Sequence, residues 1–121
     1  MTLGRELADM DASPLEINLA LLRRVVPGML VTFLLAFLAY VYTAAPSCGQ
    51  GHDTGELTAA AWLPGVAHPP GYPLYVFQGY LWRLIVPGDP GWVMNINSGF
   101  SLAVGVAFLS AALSLVSRPL V

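Results

Sequence analysis

The sequence predicts an all-α membrane protein: two transmembrane helices joined by an outer loop that carries short interfacial helices. Three observations predict it. Of 121 residues, 56% are hydrophobic and only 10% charged, with a mean hydropathy of +0.67, whereas soluble domains hold about 25% charged residues. Two runs, residues 25–45 and 91–117, contain no Asp, Glu, Lys or Arg. Cations sit at the ends of these runs, Arg23 and Arg24 before the first and Arg118 after the second. By the positive-inside rule both termini then face the cytoplasm. The expected location is the cell (inner) membrane, with residues 46–90 on its outer side.

Composition also excludes whole classes of function. A formal net charge of -2 gives no basic surface on which nucleic acid would bind. One cysteine, Cys48, allows neither an internal disulfide nor a cysteine-rich metal cluster; its expected role is that of a lone thiol in a loop. No Walker loop, GxGxxG, GxSxG, HExxH or cysteine pair is present, so nucleotide-driven transport and soluble-type hydrolysis have no support. Neither a cofactor nor a metal is expected.

The elements follow in order. Residues 1–24 read as a cytoplasmic tail and a short amphipathic helix, opened by Ser13 as cap, Pro14 at the first helical position and Glu16 three residues after the serine. Residues 25–45 form the first span, about 30 Å of helix at 1.5 Å per residue. Pro27 and Gly28 are placed at its start, where a missing N–H does no harm. A cleaved signal peptide is the rival reading, because residues 43–45 resemble a small-residue cleavage site. The apolar stretch is too long for one, and Pro46 would follow the cut.

In the outer loop, 46–90, one helix is expected over about 54–63. It breaks at Pro64-Gly65, where proline removes an intrahelical bond. His68 precedes Pro69-Pro70 and must be extended or turned. A second helix, about 73–86, reaches only about 21 Å and lies along or dips into the interface instead of crossing it. Trp62, Tyr72, Tyr75, Phe77, Tyr80, Trp82 and Trp92 crowd this region, as aromatic side chains do where lipid meets headgroups. Residues 91–117 form the second span and 118–121 a cytoplasmic end. Gly99, Ala103, Ala107 and Ala111 recur every fourth residue of that span. Such a stripe admits a closely packed helix, from the first span, from a longer parent or from a partner chain.

Several residues can carry chemistry. Asp53 and Glu56 are three apart at a helix start. Their spacing fits an acidic capping box first; the same residues can also serve as a carboxylate base at the outer mouth of a membrane helix, with a pKa raised by low dielectric. His68, in its proline frame, is either a turn residue bonded to backbone or a group that orders substrate or donates to a phosphate. No HxH or HxxxH accompanies it, so metal ligation has little support. Arg83 is the one cation of the outer loop; it either snorkels to lipid phosphate or contacts the phosphate of a lipid-linked donor. Asn95, Asn97 and Ser98 open the second span and either line a polar cavity or bond between helices.

At Asp53-Thr54-Gly55-Glu56-Leu57-Thr58-Ala59-Ala60, followed by Gly65-Val66-Ala67-His68-Pro69-Pro70-Gly71-Tyr72-Pro73-Leu74-Tyr75, the chain resembles one membrane family. This is a polytopic family formerly called a domain of unknown function, related to protein O-mannosyltransferases of the GT-C glycosyltransferase type. The resemblance covers roughly residues 25–117. It implies the N-terminal part of a GT-C fold and transfer of a sugar from a polyprenyl-phosphate donor on the outer face. It further implies Asp53 as the catalytic base with Glu56 as second choice, and His68 and Tyr72 shaping the site or holding the donor phosphate. Members often carry an arginine shortly before the Asn that corresponds to Asn95, where this chain reads Trp92-Val93-Met94. Members also have many more spans, so the expectation is a truncated or split product, inactive alone, whose partners are membrane lipid, the sugar donor and further transmembrane helices. The alternative is a small two-span binding or assembly protein without catalysis.

Overall fold

The computed structural model describes residues 14–49, 51 and 53–117. Among these the chain is all-helical: α1 (Pro14–Thr43), α2 (Thr54–Trp62), α3 (Pro73–Ile85) and α4 (Pro90–Val116). Ser13 and Arg118 lie outside the described residues. Two stretches, Asn18–Thr43 within α1 and Pro90–Val116, are long and apolar enough to cross a membrane.

The amphipathic helix and the first span are one continuous element. Leu, Glu, Ala and Arg dominate residues 15–24 and are good helix formers, so nothing stops the helix before the apolar run. Pro27 therefore lies inside α1 and does not begin it, a correction to the expected start. A membrane-spanning helix tolerates such a proline where neighbouring groups satisfy the freed backbone. Leu19, Leu22, Val26, Leu30, Leu34 and Leu38 are exposed along α1, the pattern of a rod whose surroundings are apolar on most sides.

Helices α1 and α4 run antiparallel. Ala45, just past the end of α1, meets Asn95, Tyr40 lies on Gly99, and Thr32 meets Ser110. The small-residue stripe of α4 is the contact face: a Cβ on Gly99 would stand 2.8 Å from that of Tyr40, and Ala103, Ala107 and Ala111 are buried. Small side chains let the two backbones approach and gain dispersion contacts. Phe100 joins three elements, with ring centroids 5.7 Å from Phe33, 6.0 Å from Phe37 and 5.4 Å from Trp82.

Helices α2 and α3 fold over the first half of α4. Ala60, Ala67 and Val76 form a small core with Leu57 packed against it. Gly79 is buried where α3 crosses Met94 and Ala61. Tyr75 bonds Ser98 at 3.0 Å, and Gln78 donates to Ser101 at 3.0 Å. Asp89 caps α4 with an extended backbone and an Oδ1 that accepts from the N–H groups of Gly91 and Trp92, while Pro90 fills the first helical position, where no donor is needed.

Candidate functional site

The site is the N-terminal end of α2 and the proline loop that returns to it. The chain leaves α1 at Thr43 and passes over the start of α4. Asn95 Nδ2 donates to the Ala45 carbonyl at 2.9 Å and to the Ser47 carbonyl at 3.3 Å. Gly91 is fully covered by the Ser47–Cys48 backbone. Thr54 then donates to the carbonyls of Gly49 and Gly51, both at 2.9 Å, and these bonds place Asp53 at the head of α2.

The two acids do not form the expected capping box. Asp53 has φ -104° and ψ -14°, near-helical angles rather than the extended ones of a capping residue, and its side chain makes no cap bond to α2. Glu56 turns to His68. Its Oε1 accepts from the His68 backbone N–H at 2.6 Å, and its Oε2 meets His68 Nδ1 at 2.9 Å. The backbone bond first, and the ring bond second, hold the Glu56 carboxyl below the usual carboxylate range. The physical reason the box fails is this competition: His68 offers one carboxylate two donors, more than the head of α2 would.

The loop geometry makes that meeting possible. Proline 64 and Gly65 end α2, where the Gly65 N–H reaches back to the Ala60 carbonyl at 2.9 Å. The Pro69-Pro70 peptide is cis, and Gly71 (φ 86°) and Tyr72 (φ 46°) are both left-handed. A side chain in that region costs about 1–2 kcal/mol, so Tyr72 is held there by its surroundings. Its ring stands edge-on to His68 with centroids 5.6 Å apart. Beyond this turn Pro73 starts α3. An apolar groove of about 530 Å³ opens between Ala60, Gly65, Val66, Pro70, Val76, Phe77 and Tyr80.

The remaining candidates are used within the fold. Arg83 donates to the Trp62 carbonyl at the end of α2 and lies over the Tyr80 ring, 5.2 Å from its centroid. Asn95 ties down the exit from α1, and Ser98 bonds Tyr75. Asn97 is fully buried, and its side-chain amide has no partner. Cys48 is exposed, with Sγ 3.5 Å from Thr58 Oγ1. Among the described residues no three His, Cys, Asp or Glu side chains cluster as a metal site would need. The structure thus brings together Glu56, His68 and Tyr72, with Asp53 one turn from Glu56, while Arg83 and Asn95 lie on other contacts. The Glu56–His68 pairing escapes sequence reasoning; the only signal is that both belong to the two quoted motifs.

Comparison with known proteins supplies the context. A family model described as "Protein O-mannosyl-transferase TMEM260 N-terminal domain" matches residues 53–121. The chain is 34% identical over 84 residues to "Protein O-mannosyl-transferase tmem260" of Dictyostelium discoideum, an alignment covering 67% of this chain and 10% of that protein. It is 40% identical over 76 residues to "Protein O-mannosyl-transferase TMEM260" of Mus musculus, covering 61% of this chain and 11% of that protein. The chain thus spans about a tenth of the length of these curated relatives. No solved structure matches it.

Proposed function

We propose, on the premise that this chain belongs to the family of protein O-mannosyl-transferase TMEM260 N-terminal domains, that it forms the first spans and outer loop of an integral membrane glycosyltransferase. In this reading the loop lies on the outer face, both termini are cytoplasmic, and the fold is the N-terminal part of a GT-C enzyme. The donor is a polyprenyl-phosphate sugar, with mannose as the sugar that the relatives' names give. Further transmembrane helices complete the donor cavity.

The observation that carries the reading is the division between the two acids. Glu56 is committed to His68 and is a weaker base for it, because a lowered pKa reduces proton affinity. Asp53, exposed and without a cap bond to its own helix, is the carboxylate able to turn to substrate. It takes the proton of the acceptor hydroxyl; the acceptor oxygen bonds the sugar's anomeric carbon, and the phosphate leaves with the electron pair of the broken C–O bond. A lipid-linked donor is supported by the apolar groove beside the proline loop, which suits an isoprenoid chain better than a nucleotide.

The test places Asp53→Asn at the chain's own gene and measures sugar transfer from a polyprenyl-phosphate donor in native membranes. Loss of a general base lowers the rate by about 10²–10⁴-fold. Full transfer by the Asn variant removes Asp53 from that role.

A further inference from the structure

The bonds at His68 decide which of its ring nitrogens meets a ligand. Both Glu56 oxygens are committed to it, one to the backbone N–H and one to Nδ1. An ionised carboxylate has no proton to give, so the proton of the second bond sits on Nδ1. In the neutral ring Nε2 then carries a lone pair and accepts. The ring is held from a second side by Tyr72, 5.6 Å away between centroids at 68°, and the His68 side chain keeps 38% of its surface exposed. The two bonds and the Tyr72 contact fix the orientation of the ring, and in its neutral form the nitrogen left over from Glu56 is an acceptor.

We infer that Glu56 is a positioning residue that fixes the Nδ1–H tautomer of His68, so that Nε2 accepts a hydrogen bond from a substrate hydroxyl and does not bind the donor phosphate. This rests on the transferase reading and names the part of the substrate His68 touches. A phosphate oxygen is itself an acceptor, and facing it with an imidazole lone pair is repulsive. A hydroxyl, whether on the transferred sugar or on the acceptor, supplies the missing proton. The same reading separates the roles of Asp53 and His68, since Asp53 removes a proton and His68 Nε2 only receives a hydrogen bond.

Two measurements test it. In ¹⁵N-histidine NMR of this chain in lipid nanodiscs, with His52→Gln to leave one signal set, the unprotonated-type resonance is expected on Nε2, and Glu56→Ala removes that preference. An unprotonated resonance on Nδ1 in the Glu56-containing protein overturns the inference. The second measurement uses transfer kinetics in native membranes with substitutions at the chain's own gene. His68→Asn keeps an N–H where Nδ1 meets Glu56 and deletes Nε2, whereas His68→Gln does the reverse. His68→Asn is expected to lower kcat/KM about tenfold, the size of one hydrogen bond, and His68→Gln to retain more. A rise in KM for the donor assigns the hydroxyl to the sugar, and a rise for the acceptor assigns it there. An Asn variant with native kinetics beside an impaired Gln variant shows a purely structural histidine and overturns the inference. Membranes whose native protein transfers no sugar overturn the transferase reading and the hydroxyl contact with it, while the NMR result still decides the tautomer.

Discussion

Gly91→Ala tests whether the path from α1 to Asp53 is set by one close backbone crossing. A Cβ at position 91 would meet the Cys48 backbone nitrogen, and would stand 2.6 Å from the Ser47 carbonyl carbon and 2.7 Å from Cys48 Cα. All three are main-chain atoms, so no rotamer change relieves the clash and residues 47–48 must move. That strain costs about 1–3 kcal/mol, as overpacking does. Displacing the segment also loosens the two Asn95 bonds to the Ala45 and Ser47 carbonyls, about 1 kcal/mol each. Alanine's better helix propensity returns about 1 kcal/mol. The net destabilisation is about 2–4 kcal/mol, or roughly 8–16 °C in Tm for a chain of this size. Thermal unfolding in detergent reads the global effect, and maleimide labelling of Cys48 reads the local one, since it is the single cysteine. Gly105→Ala is the control: nothing lies within 4 Å of its Cβ position, so that variant melts at or slightly above the native temperature. An unchanged melting temperature and labelling rate in Gly91→Ala would refute the close crossing.

Three further outcomes follow from the same structure. Asn97→Leu removes a buried, unpartnered amide and raises Tm in the same unfolding assay, by the equivalent of about 1–3 kcal/mol. Arg83→Met frees the Trp62 carbonyl and the Tyr80 ring face; it costs about 1–3 kcal/mol, the range of a hydrogen bond from a charged donor, and limited proteolysis near residues 63–66 then accelerates. Acid weakens the Glu56–His68 link in a defined direction. The folded carboxyl is lowered mainly by the His68 backbone N–H, so its contribution is fully present above the unfolded carboxylate value and is lost as pH falls through the lowered folded one. Exchange protection of the His68 amide, followed by NMR against pH, falls across that interval, and protection that is flat through the acid range contradicts the link.

The helices were legible because their signals are local. Uncharged length gave the spans, Pro64-Gly65 gave the end of α2, and Pro73 gave the start of α3. The join between the tail and the first span is not legible at Pro27, because a proline at a helix start and one inside a membrane helix leave the same sequence trace. Asp89-Pro90 is a cap signal that would have set the start of α4 one residue earlier than 91. The partner of the small-residue stripe was open in the sequence, since spacing alone names a face and not what covers it. The site was less legible for a related reason. A capping box and a long-range clamp use the same glutamate, and only the return of residues 63–67 along α2, with Gly65 bonded to Ala60 and Ala67 packed in the same small core, brings His68 within reach.

Helix α2 is fastened at both ends, to the proline loop and to α3, by side chains acting on main-chain groups. Glu56 holds the His68 N–H at the head of α2, and Arg83 holds the Trp62 carbonyl at its foot. Each fastening consumes one of the few ionic groups of residues 46–90, and Asp89 is consumed as the cap of α4. Asp53 alone among these acids leaves available stabilisation unused: an extended backbone at that position would let its carboxylate cap α2 for about 1 kcal/mol, yet it sits near-helical and exposed. An uncapped carboxylate at the head of a helix fixed at both ends is compatible with the proton removal proposed for residue 53. In the proposed transferase reading, residue 53 is the carboxylate left free for a substrate, with Glu56 and His68 paired one turn away.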